Sequence, residues 1–182
     1  MRNNNEEASV KMLECALQGD VSGMLEAHKN GGDLHYKDAR GRNPIIELAK
    51  LRRPESPNVG YGWKILEIAN TLDKTILTIT DNGGGTACTW LAYTGNFRGA
   101  LDIASAYPET AEHFCNYGSS VTTLLAQYLI GSMAYLAPRQ MARYNPKVLA
   151  QPVIAALWKN KNLDDAQKAS IEESLRKAGF TQ

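Results

Sequence analysis

Asp38-Ala39-Arg40-Gly41-Arg42-Asn43-Pro44 leads to Leu48-Ala49, and Asp81-Asn82-Gly83-Gly84-Gly85-Thr86 leads to Leu91-Ala92 with the same spacing. A second pair of segments aligns without gaps, Cys15 to Leu25 with Leu91 to Leu101. Each has Ala16 or Ala92, two variable residues, Gly19 or Gly95, Asp20 or Asn96, an apolar residue, then Gly23 or Gly99. A degenerate copy of the first pattern runs from Cys115-Asn116-Tyr117-Gly118-Ser119-Ser120 to Leu125-Ala126. These residue types have local reasons. Asn43-Pro44 and Thr86 suit helix starts, because an Asn or Thr side-chain oxygen accepts from free N–H groups and Pro fits the first turn. Gly19 and Gly95 suit tight turns between antiparallel helices, where positive φ disfavours other residues. Small Ala16, Ala49, Ala92 and Ala126 let neighbouring helices approach closely. A single helix pair leaves an apolar face bare, so stability has to come from stacking.

In this spacing the chain resembles the ankyrin-repeat family, whose pattern is Asp-x-x-Gly-x-Thr-Pro-Leu-His-x-Ala-Ala-x-x-Gly-His, a Leu-rich second helix and Gly-Ala-Asp. With Gly19 between two helices, the first unit starts at Asn5 and Asp38 falls 33 residues later, the family period. The second unit, Asp38 to Asp81, is 43 residues, which places an insertion of about ten at 52–62, where two prolines and two glycines forbid a continuous helix. The third, Asp81 to Cys115, is 34 residues. Departures are visible. The family His is replaced by Ile46, Thr89 and Thr123, Pro by Ala87 and Val121, and Leu129-Ile130 stand where the fourth unit needs its glycine. The resemblance implies an all-α fold, a short solenoid of about four helix-turn-helix units over 5–136, with 137–182 as a C-terminal helical cap; a generic helical bundle is the alternative. In that tail, Pro152 precedes a helix through Val153 to Trp158. Asn162-Leu163-Asp164-Asp165 opens a last helix that Arg176-Lys177 and Gly179 close, with a stripe of Ala166, Ile171, Leu175 and Ala178.

Length and charge narrow the function. The chain has 182 residues, 43% hydrophobic and 21% charged, enough for a folded core, and no apolar run near the length of a membrane span. Its 20 Lys+Arg against 19 Asp+Glu remove the broad field that nucleic acid or an anionic membrane would require. Cys15, Cys88 and Cys115 have no paired spacing, and no secretory apolar stretch follows the polar start, so reduced thiols in the cytoplasm are expected. His28, His35 and His113 stand alone, so neither a metal nor a cofactor is expected.

Other features have ordinary readings. Thr75-Ile76-Leu77-Thr78-Ile79-Thr80 before Gly83-Gly84-Gly85 imitates a strand and a phosphate loop, but Gly-Lys-Ser/Thr and Gly-x-Gly-x-x-Gly are both missing, so a β-like segment with a repeat hairpin tip is expected. Cys88, near a helix start, is a candidate nucleophile, with His113 or an acid to complete a triad; in the repeat register it takes the family's buried Leu position. His35 reads as a surface residue at a hairpin. Lys50, Arg52 and Arg53 read as solvated loop charge, with Tyr61 and Trp63 close by as potential partner anchors.

The resemblance implies a non-enzymatic protein-interaction module, a monomer binding a partner protein through a concave face of hairpin tips and inner helices. Carried over position by position, the family's variable sites fall on Arg40, Arg42 and Lys50 in the second unit, with Ala39 and Leu51 beside them. In the third they fall on Asn82, Tyr93 and Thr94, with Gly83 and Gly85. In the fourth they fall on Tyr117, Gln127 and Tyr128, with Asn116 and Ser119. Arg40, Arg42, Tyr93, Tyr117 and Tyr128 would make an Arg/Tyr surface of the kind favoured at binding hot spots. The alternatives are a bacterial effector, translocated into a host cell and acting through the same face, whose Glu172-Glu173 resembles a glutamate-rich secretion tail, and an enzyme dependent on Cys88.

Overall fold

The computed structural model describes residues 4–51, 61–107, 109–112, 121, 123–124, 126, 154, 157–158 and 163–177. They form α1 (Asn4–Gln18), α2 (Val21–Lys29), α3 (Pro44–Lys50), α4 (Gly62–Thr71), a 3₁₀ turn (Lys74–Thr78), α5 (Ala87–Tyr93), α6 (Phe97–Ala106), the short α7 (Glu109–Glu112) and α8 (Asp165–Lys177). The fold is all-helical; no strand occurs among the described residues.

The recurring sequence elements fold into recurring hydrogen-bond patterns. α1 ends at Gly19, φ +72°, whose N–H donates to Ala16 O while Asp20 N–H donates to Cys15 O. Asp20 then caps α2, accepting from Gly23 N–H at 2.9 Å. Between α5 and α6 the same bonds recur: Gly95 has φ +84°, its N–H reaches Ala92 O, Asn96 N–H reaches Leu91 O, and Asn96 Oδ1 accepts from Gly99 N–H. Glycine supplies the left-handed residue and Asp or Asn the cap.

The Asp38 and Asp81 segments are the same turn. Asp38 N–H donates to Arg42 O, Gly41 N–H returns to Asp38 O, and Asp38 Oδ1 accepts from the N–H groups of Arg40 and Arg42. Asp81 repeats this with Gly85 O, Gly84 N–H, and the N–H groups of Gly83 and Gly85. The turns are laced side by side, Asn82 N–H donating to Arg40 O at 3.0 Å and Asn82 Nδ2 to Ala39 O at 3.2 Å. Each runs into a capped helix, Asn43 Oδ1 accepting from Ile46 N–H and Thr86 Oγ1 from Thr89 N–H.

Packing joins these pieces. α1 lies against α2 and α3, α3 against α4 and α5, α5 against α6, and α4 against α6. Met12, Met24, Ile46, Leu48, Ile65 and Leu91 are buried between them, together with Ala16, Ala49 and Ala92. At Gly62 and Gly99 the backbones of α4 and α6 approach so closely that a Cβ on Gly99 would lie 2.7 Å from Gly62 Cα.

Four expectations need correction. Residues 75–80 form no β-like segment: Lys74–Thr78 is a 3₁₀ turn that Asp73 caps through Thr75 N–H and Oγ1, and the adjacent Ile76 and Leu77 are both buried, where a half-buried strand would alternate. The segment assigned to the insertion ends early, because Tyr61 is buried with its hydroxyl donating to Gly19 O and α4 already begins at Gly62; residues 52–60 lie outside the description. Asn5, in the register of Asp38, is helical. Ala8 stands where the turn needs Gly41, and Glu6 and Glu7 favour a helix first turn. In α8 Leu175 is buried and Ile171 half-buried, while Ala166 is exposed. Asp164 caps this helix, exchanging bonds with Gln167. No helix among the described residues is long and apolar enough to cross a membrane.

Candidate binding cleft

The paired Asp turns, the end of α3 and one face of α5 enclose a cleft of about 800 Å³. Arg40, Arg42, Lys50, Asn82 and Tyr93 all line it, together with Trp90, Thr89 and the turn backbone. Five of the nine expected binding residues therefore converge, because the turns and α3 and α5 follow each other in register. Arg40 and Asn82 are exposed, and Tyr93 is 40% exposed. Thr94 is not part of the lining; its hydroxyl is directed to Ala49 O and Leu91 O. Tyr117, Gln127 and Tyr128 lie outside the described residues.

Arg42 corrects the picture of an exposed Arg/Tyr surface. It is only 7% exposed, its guanidinium held 2.7 Å from Glu47 Oε1 and 3.2 Å from Asp38 Oδ2. The buried Glu47 carboxylate draws it inward and also takes Lys50 Nζ at 3.0 Å. Burial raises the Glu47 pKa above the ordinary carboxylate value, while Arg42 pulls it back down. Arg42 is thus an internal strut of the cleft floor.

Trp90 is the wall residue that the repeat register did not single out. It occupies the α5 position that Glu47 holds in α3, and its indole Nε1–H donates to Asp81 Oδ2 at 2.8 Å. Both residues thereby tie a helix back to the turn before it. The Trp90 and Tyr93 rings stand 5.9 Å apart, and Lys50 Nζ lies 5.3 Å from the Trp90 ring centre. The available signal was the i,i+3 spacing of two aromatics, which puts both on one helix face.

The other candidates sit elsewhere. Cys88 is fully buried, its Sγ–H donating to Ala100 O, and desolvation pushes the thiol pKa up to about 12, the opposite of nucleophile activation. His35 lies in the loop after α2 and pairs with Asp73 at 2.7 Å, and that hydrogen bond, with those from Thr75, lowers the Asp73 pKa to about 2. Trp63 is 52% exposed and stacks under Lys64, with its partner Tyr61 turned into the core. Glu172 is engaged by Trp158 Nε1 and Arg176. Among the described residues no three His, Cys, Asp or Glu side chains gather as a metal set would. No protein-family model matches the chain, and no curated protein matches it.

Proposed function

We propose that the chain is a divergent ankyrin-like repeat protein that acts as a non-enzymatic interaction module, receiving a segment of a partner protein in the cleft between its Asp turns and α5. The observation that carries this reading is convergence: Arg40, Lys50, Asn82 and Tyr93, assigned to binding through the repeat register, line one cleft with Trp90. The matching turns at Asp38 and Asp81, laced through Asn82, supply the stacked geometry that such a face requires. Exposed Arg and aromatic groups around a concave floor are the usual anchors of protein interfaces. The buried, poorly acidic Cys88 supports a binding role over catalysis by that thiol. An effector role would use the same cleft; Glu172, held by Trp158 and Arg176, lends the secretion-tail reading no particular support.

The test is affinity purification with the full chain, followed by mass spectrometry, in parallel with an Arg40→Ala/Tyr93→Ala variant. Both side chains are at the surface, so the variant should keep its thermal midpoint. Its affinity for the captured partner should fall by at least about tenfold. A partner retained equally by both proteins would show that binding happens elsewhere.

A further inference from the structure

The hydrogen-bonding capacity around the cleft is lopsided. Asp81 Oδ1 is taken by the N–H groups of Gly83 and Gly85, and its Oδ2 by Trp90. Glu47 is taken by Arg42 and Lys50, and Asp38 by the Arg40 and Arg42 N–H groups and the Arg42 guanidinium. Each of these carboxylates is engaged from within. The donors are in a different state. Arg40 is exposed, and its guanidinium pairs with no carboxylate among the described residues. The buried Arg42 keeps Nε without a hydrogen-bond partner there, and Lys50 shares one carboxylate with Arg42. Beside these cations stand the Trp90 and Tyr93 rings, with the polar edge of Trp90 already satisfied, so that what it presents is apolar. The complement of such a site is an acceptor-rich group adjoining an apolar one.

We propose that the cleft takes an acidic stretch of the partner, an Asp or Glu carboxylate meeting Arg40 near Lys50 while a neighbouring aromatic or aliphatic side chain of the same stretch lies against Trp90 and Tyr93. This rests on the interaction reading above and gives it a chemistry. A Lys- or Arg-rich segment would find no unoccupied carboxylate among Asp38, Glu47 and Asp81 and would meet Arg40 with like charge. Because Arg40 is exposed, its contribution should be screened by salt, leaving the aromatic contact as the salt-insensitive part.

The experiment is selection of phage-displayed random peptides, about a dozen residues long, on the full wild-type chain and on Arg40→Glu and Tyr93→Ala. Arg40 has no ion pair to lose among the described residues, and circular dichroism verifies that each variant is folded. The expected wild-type pool is enriched in Asp or Glu next to Trp, Phe or Leu. Its best peptide should bind about tenfold more weakly when the acid is replaced by its amide, and more weakly again to Arg40→Glu. Peptides without an acidic excess that still lose binding on Tyr93→Ala would overturn the acidic partner and leave the interaction reading standing. No peptides at all, or peptides indifferent to both variants, would overturn the two together.

Discussion

Arg42 shows how one buried carboxylate decides the role of a neighbour. Its position in the Asp38 turn would aim an Arg at solvent, but Glu47 one helical turn on is 3% exposed and has to be compensated, so the guanidinium folds back onto it. Removing Arg42 leaves Glu47 with Lys50 alone. Arg42→Leu should therefore cost about 3 kcal/mol at pH 7, the usual order for breaking a buried pair. The pH dependence identifies the cause. Glu47 has its pKa raised in the fold already, and without Arg42 it should rise further above the unfolded value of 4.5. Between those two values the native state binds more protons than the unfolded one, so stability increases as pH falls through the window. The deficit of Arg42→Leu, measured by urea denaturation, should shrink from pH 7 towards 4.5. A deficit that stays constant over that range would mean that lost packing, and not the stranded carboxylate, is responsible.

Among the elements, α4 and α6 approach most tightly where Gly62 faces Gly99, backbone against backbone. Gly99 sits in the first turn of α6, where alanine would ordinarily improve helix propensity by up to about 1 kcal/mol. Here its Cβ would press on Gly62 Cα, which as backbone cannot rotate away, so the helices must separate. Gly99→Ala should destabilise by about 2 kcal/mol net, lowering the midpoint of thermal unfolding by roughly 4–8 °C. A stabilised variant would show that α4 and α6 are not held this close. The same elements mark the limit of what sequence discloses. The turns at Gly19, Gly95, Asp38 and Asp81 were legible because a positive φ, a capping oxygen and their spacing are local requirements written in residue type. The 3₁₀ turn at Lys74–Thr78 was not, because β-branched Thr and Ile suggest a strand and only the Asp73 cap and the joint burial of Ile76 and Leu77 reverse that preference. Trp90 was missed for a related reason. The i,i+3 spacing sets it on the Tyr93 face, but the bond to Asp81 nine residues earlier that seats it against the turn is not given by helix periodicity.

For the whole molecule, the question is whether successive helix pairs stand independently or support one another, and Tyr61 offers a direct probe. Its ring precedes α4, yet its hydroxyl donates to Gly19 O at 3.2 Å, in the turn between α1 and α2. Gly19 carries φ +72°, and a Cβ there would collide with the Tyr61 hydroxyl. Gly19→Ala thus meets two obstacles, an unfavourable backbone angle and a clash with a residue 42 positions away. Tyr61→Phe removes the hydroxyl that causes the collision and should cost about 1 kcal/mol alone through the lost hydrogen bond. In the double variant the severest contact is gone, although the ring Cζ still lies 2.9 Å from the new Cβ, and the backbone term remains. The two changes should therefore combine less than additively, with a coupling of about 1 kcal/mol in a double-mutant cycle read by urea denaturation. Strict additivity would mean that the first turn relaxes without involving α4, and the molecule would then divide thermodynamically between its first helix pair and the rest. Coupling of that size instead makes the α1–α2 turn part of the same cooperative body as α3 and α4, which is what the cleft between the Asp turns and α5 needs in order to keep its shape.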